Sequence, residues 1–487
     1  MKRASNTRKL AVLAVVVIVA LASVGVWYYL AIYMPQYEEE RIRLLTLFTS
    51  GVPADLDPAL AIDLDSLSII YNVYDRLVAY KRGTTEVEPC LAASWETPDS
   101  MTYIFNLRED VVFHDGTSFD AESVKYSLDR ALELEGPLSY ILDFINKTEV
   151  LDTYRVKVTL DFDFAPFLSI MAHPVASIVS PDAVERYGED FNKNPVGTGP
   201  FMFDSWSLGK EVVLTANKEY FRGAPKLERL VFKTILEAAA RKDALEQGEV
   251  DVLWSQGEIA PADLADVEAN PDIRTFKASG TAIECLGFNL WKKPLNDSKV
   301  REAISYAIDY DTIIMDAMDG RAERVGGPIP PDIFGYKPLA LRQRDVARAR
   351  QLLDEAGYSE GFDISLTYNI ESLERRKVAE VMRNSLGEIG INVKIKGLDW
   401  DSTLDELDSM EHDMFLINWI PDYFDPDSYL FPQFHSASLP PNGANNFGLS
   451  DPEIDTILDD GVMTTDPSQR LEAYHKAQER IVEEMPC

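Results

Sequence analysis

The chain has few of the residues from which metalloenzymes and zinc folds are built. Five histidines (His114, His173, His412, His435 and His475) and three cysteines occur in 487 residues. None of the histidines forms an HExxH or another metal pair at helical spacing, so no metal site is expected. His114, beside Asp115 and Gly116, reads as a turn residue. Cys90, Cys285 and Cys487 cannot all pair, and their spacing fits no zinc site. They read as small buried hydrophobes, with one disulfide open to them outside the cell. No GxxxxGK[ST] stretch exists, which excludes nucleotide hydrolysis through a phosphate-binding loop, and no GxSxG stretch exists, which weakens a serine hydrolase. Gly197-Thr198-Gly199 begins like a dinucleotide loop, but Met202 stands where the third glycine belongs, so a tight turn is expected and no cofactor. Basic residues are also scarce. The 47 Lys and Arg face 81 Asp and Glu, a net charge of −34, which argues against a nucleic-acid partner. No period of about 20–50 residues recurs, which argues against a solenoid or propeller.

What is present begins with an apolar run. Lys2, Arg3, Arg8 and Lys9 precede an uncharged stretch over residues 10–34, and the next charge is Glu38. Such a stretch is long enough to cross a hydrocarbon core of about 30 Å. The flanking charges place the N-terminus in the cytoplasm, with Trp27, Tyr28, Tyr29 and Tyr33 at the outer interface. A cleaved signal peptide is the rival, with Ala20-Leu21-Ala22 as the cleavage site, but the apolar run continues well past it. Residues 1–40 are therefore expected to be a membrane anchor, with everything after Tyr37 outside the cytoplasm. No cysteine near the segment offers a site for lipidation.

The rest, 46% apolar overall, has the length of roughly three domain-sized units. Tyr103, Phe105 and Leu107 alternate as a strand, and 111–113 reads as a second short one. Asp120 is placed to cap a helix, with Phe119 and Val124 as a hydrophobic staple and Val124, Leu128 and Leu132 on its apolar face. A helix follows Asp297, and another runs over 346–356 to Gly357. Ile364, Leu366 and Tyr368 alternate; a helix over 373–389 ends at Gly390; Ile391, Val393 and Ile395 alternate again. That strand–helix–strand order predicts a parallel pair. The acid-rich residues 401–413 read as a solvated helix face. The fold class is mixed α/β.

Five stretches, in order, carry a resemblance: "YIFNLREDVVFHDGTSFDAESVKYSLDRAL" (103–132), "NPVGTGPFMFDSW" (194–206), "GFNLWKKPLNDSKVREAISYAIDYDTII" (287–314), "NWIPDYFDPDSYL" (418–430) and "FGLSDPEIDTIL" (447–458). Together they resemble the family 5 extracellular solute-binding proteins, the peptide-, oligopeptide- and nickel-binding components of ABC importers. The resemblance implies a periplasmic-binding-protein-like α/β fold of two lobes and a hinge with an extra domain. It would put 41–72 and 190–280 in lobe I, 73–189 in the extra domain and 281–487 in lobe II. It implies a monomer that closes around a solute and docks on a permease with its ATPase, and no enzymatic activity. Chains of that family usually continue past the position of Cys487 with apolar strands that return to lobe I. A missing return would leave an unpaired edge.

The resemblance also points to a site. Asp422 aligns with the aspartate that takes the α-ammonium of a bound peptide in such proteins. Trp419 would wall the site, and Tyr423 and Phe424 would add cation–π attraction or packing. Asn289, Tyr71 and Tyr74 are weaker ligand-contact candidates, and Arg321 and Arg324 weaker still, toward a carboxylate. Asp425-Pro426 reads as a turn starter and Asp427 as a helix cap. An oligosaccharide or a nickel chelate is the alternative solute. A hydrolase using Asp422 and Asp425 is a remote one.

Overall fold

The computed structural model describes residues 43–253, 259, 261–441 and 443–487. The expected membrane anchor lies outside the described residues. Among those described, no helix is long and apolar enough to cross a membrane. Two compact units emerge, each assembled from three stretches of chain. One takes the residues up to Asp75 with Glu109–Leu138 and Ser177–Arg274, the other Arg76–Arg108, Ser139–Ala176 and Thr275–Cys487. Residues 73–189 are thus shared between them.

In the first unit the strand Leu44–Thr49 pairs in parallel with Arg229–Thr234, which continues antiparallel through Glu211–Ala216 to Phe201–Ser207. Its apolar face packs with Leu56, Ile69, Ile70, Val73 and Tyr74 around Leu214, Leu230 and Phe232. The Asp63 side chain caps the helix Leu64–Val73 by accepting from the Ser66 amide. The end of that helix explains the glycine turn. A Cβ on Gly197 would stand 2.3 Å from the Val73 carbonyl oxygen, and one on Gly199 2.6 Å from it. The glycines allow a close backbone approach, sealed by the Gly199 amide donating to Val73 O at 2.9 Å. The Asp120 cap forms as a capping box with Ser123, and Phe119 and Val124 are buried beside it. The expected strand over 111–113 does not form. Val112 makes only an isolated bridge to Ser118, its flanking bonds running from the Phe113 amide to Thr117 O and from the Phe119 amide to Val111 O.

In the second unit the mixed sheet runs in the order Ile283–Phe288, Met414–Trp419, Phe362–Asn369, Ile391–Leu398. Phe362–Asn369 is parallel to both of its neighbours, and Ile283–Phe288 is antiparallel to Met414–Trp419. The helix Leu373–Gly387 makes the predicted parallel crossover and buries Val378, Met382 and Leu386 against Ile364, Leu366 and Val393. The acidic helix is shorter than expected, Trp400–Asp408, because Met410 adopts a left-handed φ of 55°. It is not wholly solvated either: Glu406 is buried and accepts from Thr367 Oγ1 at 3.1 Å. An antiparallel sheet, ordered Ala92–Asp99, Thr102–Leu107, Arg155–Leu160, Ile145–Asp152, completes the unit. Pro486 lies along the sheet edge, its carbonyl accepting from the Phe288 amide at 2.9 Å. The three cysteines are free thiols. Cys90 is buried as expected and Cys285 partly so, whereas Cys487 is exposed.

One buried ion pair fastens the first unit. Arg130, from the helix Ala121–Glu133, grips both oxygens of Asp57, whose side chain is 3% exposed. Removing one partner strands a buried charge. Asp57→Ala is expected to lower the unfolding free energy in urea by about 3 kcal/mol. Asp190→Ala, which removes an exposed pair with Lys193, should change it by about 0.5 kcal/mol or less.

Candidate functional site

Met414–Trp419 delivers the segment 420–425 at the C-terminal end of strands that run parallel, the end at which open α/β sheets leave room for ligands. Immediately after it the helix Pro426–Phe434 begins, started by the Asp425 side chain accepting from the Asp427 amide at 3.0 Å. Ser428 on this helix holds the loop twice. Its hydroxyl accepts from the Asp422 amide at 3.0 Å, and its carbonyl accepts from Trp419 Nε1 at 2.7 Å. Tyr80 braces the far side. Its hydroxyl accepts from the Phe424 amide at 3.3 Å and donates to Ser169 O at 2.9 Å, and its ring lies 5.1 Å from that of Phe424.

The three carboxylates of this loop have different surroundings. Asp425 is buried and pairs with Arg470 at 2.7 Å. Arg470 comes from the helix Pro467–Glu484 and also donates to Gly461 O at 3.0 Å. Asp427 is buried, forms no ion pair among the described residues, and accepts from the Tyr423 hydroxyl at 2.5 Å. Burial, then the neighbouring Asp425, pushes its carboxyl up to about 7. Asp422 is half-buried, and no cation pairs with it among the described residues. Its Oδ2 accepts a 2.6 Å hydrogen bond from Tyr140. Burial raises its carboxyl above the usual range, and the Tyr140 bond opposes that rise. The phenol of Tyr140 is itself raised, by burial first and then by the bond to Asp422.

Of the residues singled out from the sequence, Trp419, Asp422 and Phe424 come together. Tyr423 is adjacent but turns inward to Asp427. Asn289 does not face an opening. It is 0% exposed, both amide protons go to the carbonyls of Met410 and His412, and its oxygen accepts from the Trp291 amide. It ties a strand end to a loop. Tyr71 and Tyr74 belong to the first unit. Tyr74 is 0% exposed, a core residue whose hydroxyl donates to Leu56 O at 3.4 Å, while Tyr71 is 42% exposed. Arg321 already pairs with Asp319 and Glu374, and Arg324 lies 3.7 Å over the Tyr310 ring. Arg375 is likewise committed, to Glu284 at 2.8 Å and to Asn418 Oδ1. The sequence reading missed Tyr140, Tyr80, Ser428 and Arg470. Tyr140 lies 282 residues before Asp422, and no local pattern links the two.

The model of the bacterial extracellular solute-binding proteins, family 5, matches residues 86–440. The probable D,D-dipeptide-binding periplasmic protein DdpA of Escherichia coli (strain K12) is 30% identical over 454 residues, 91% of this chain and 87% of that protein. The glutathione-binding protein GsiB of Salmonella paratyphi A is 31% identical over 440 residues, 88% of this chain and 85% of that one. Among solved structures, the ABC transporter-associated periplasmic binding protein DppA from Helicobacter pylori, in complex with the peptide STSA, is similar with a TM-score of 0.74. It is 31% identical, with 92% of each chain covered.

The Asp427 carboxyl couples stability to pH. Its folded-state value of about 7 exceeds the ordinary 3.8, so the folded chain holds a proton that the unfolded chain releases in that window. Stability therefore falls as pH rises from about 4 to 7. Asp427→Asn, which keeps an acceptor for Tyr423, is expected to stabilise the protein by roughly 2 kcal/mol at pH 8 and to be nearly neutral at pH 4. Urea unfolding at the two pH values measures the difference.

Proposed function

This chain belongs to the family 5 bacterial extracellular solute-binding proteins, and from that premise we propose that it captures short peptides by their free amino end at Asp422. Delivery to an ABC permease and its ATPase follows, with residues 1–40 as the tether on the outer face of the cell membrane. The observation that carries the reading is the state of Asp422. A carboxylate withdrawn from water costs several kcal/mol unless compensated, and one phenolic hydrogen bond compensates it only in part. An arriving ammonium supplies the missing charge, while Trp419 and Phe424 provide aromatic walls that also favour a cation. The relatives named for binding a D,D-dipeptide and glutathione, and the one solved with a peptide, support the same class of solute. A neutral oligosaccharide would leave Asp422 without a counter-charge, which makes it the weaker alternative. The work is a difference in affinity between conformations, with no bond made or broken.

Asp422→Asn is expected to weaken binding of short peptides with free amino termini by about tenfold or more, roughly 1.4 kcal/mol, in titration calorimetry. An unchanged affinity would sink the assignment. The pH dependence has a definite sign. Asp422 must be ionised to hold a cation, and burial raises its carboxyl, so affinity should fade on acidification sooner than an ordinary aspartate would allow. In Asp422→Asn the residual affinity should lose this dependence.

A further inference from the structure

The helix Pro467–Glu484 ends where Met485 adopts a left-handed φ of 50°, and the chain then runs to the sheet of the second unit. Two groups hold it there. The buried Arg301 donates from Nε to Met485 O at 2.9 Å and from a terminal nitrogen to Glu484 O. The Phe288 amide donates to Pro486 O at 2.9 Å. Phe288 closes the strand Ile283–Phe288, which lies at the edge of its sheet with Met414–Trp419 on its inner side. Cys285 stands on that edge strand, opposite Ile417, and packs on the apolar cluster that contains Phe415 and Phe447. Cys487 follows Pro486 and is exposed. The two thiols meet. The side-chain hydrogen bond with Cys487 is the first cause that pushes the Cys285 thiol well up, and burial is the second.

From this placement we propose that Cys285 and Cys487 are a disulfide-forming pair, closed on the extracytoplasmic side by exchange with a disulfide-bearing oxidant. That side of the membrane is where protein disulfides form and persist. The surroundings set the order of events. Cys487 is the exposed thiol, so its thiolate attacks first; the oxidant's S–S bond breaks and one of its sulfurs leaves as a thiolate. Cys285, deprotonated in turn, attacks Cys487 Sγ, and the second oxidant sulfur leaves. One S–S bond forms in the protein and one breaks in the oxidant. The protein gives up two protons and two electrons, and the oxidant becomes two thiols. Capping Cys487 in the mixed disulfide also removes the first of the causes that hold the proton on Cys285, so the second step is eased by the first. The closed bond ties the edge strand to the end of the helix Pro467–Glu484, and that strand is the neighbour of Met414–Trp419, which carries the candidate site. Cys90 is buried and takes no part.

The test uses the folded full chain with glutathione disulfide as the oxidant. Remaining thiols are alkylated in denaturant, and the protein is digested without reductant and read by mass spectrometry. A peptide pair joined through Cys285 and Cys487 is expected, with alkylation at Cys90 alone. The link should form about tenfold or more faster in the folded protein than in urea, because the fold holds the second thiol in reach. Once closed it joins residues about 200 apart, so adding reductant is expected to lower the thermal midpoint of wild type by about 5 °C or more. Cys487→Ser and Cys285→Ser should lose that response, and Cys90→Ser should keep it. Glutathione left on Cys487 with no linked pair, a link made through Cys90, or a rate no faster than in urea would each overturn the proposal. So would a response to reductant that persists in Cys487→Ser.

Discussion

Taking a carboxylate out of water costs several kcal/mol, and the segment after Trp419 withdraws three of them within six residues. Each is compensated differently. Asp425 has a guanidinium at 2.7 Å. Asp427 has a phenol, and its carboxyl is pushed up to about 7, so at neutral pH much of its charge is removed by protonation. Asp422 has a phenol too, but it is only half-buried and its carboxyl is raised less far. The first two arrangements are closed within the fold. The third keeps one carboxylate oxygen open, and a cation from solution can complete it. Among the described residues, Asp422 is thus the member of the set that folding leaves incomplete.

Holding that incompleteness in place takes much of the second unit. The backbone of the loop is pinned by Ser428 on one side and by Tyr80 on the other. Arg470, from a helix more than 40 residues on, anchors Asp425 and so fixes where the helix Pro426–Phe434 starts. Tyr140 arrives from a turn whose apolar neighbours are in the core. An arrangement carried by separate elements is stiffer than one carried by a single loop. Stiffness matters for recognition because the ordering cost is met during folding rather than at the moment of binding.

Much of this was legible along the chain. Alternation marked the strand pair Phe362–Asn369 and Ile391–Leu398, and the helix between them implied its parallel sense. The cap at Asp120, the helix after Asp297 and the glycine at 357 are local chemistry, and they stand where they were read, whereas the helix read over 373–389 already ends at Gly387. The strand over 111–113 was misread because a three-residue alternation carries no information about a partner, and the only pairing found among the described residues is one isolated bridge. Asn289 and Tyr74 show a different limit. A polar or aromatic residue beside a family motif does not reveal which way its side chain points, and both point inward. Tyr140 was invisible for the opposite reason. Its role depends on a contact across 282 residues, which no periodicity encodes.

The same surroundings weigh against a hydrolase that uses Asp422 and Asp425. Two acidic residues three positions apart, one with a raised carboxyl, are the raw material of general acid–base catalysis. A glycosidase needs both to face the scissile bond at a defined separation. Asp425 is 4% exposed and is held by Arg470, so it lacks the access to activate a water at a scissile bond. Asp427, the other neighbour, is turned to Tyr423 in the interior. Asp422 therefore has no carboxylate partner from its own loop. A single carboxylate beside a phenol and open to a cation can hold a charged group, and among the described residues its loop supplies no second carboxylate for a glycosidase pair. Such a site is suited to capture and release, and that is the chemistry expected of a family that binds solutes.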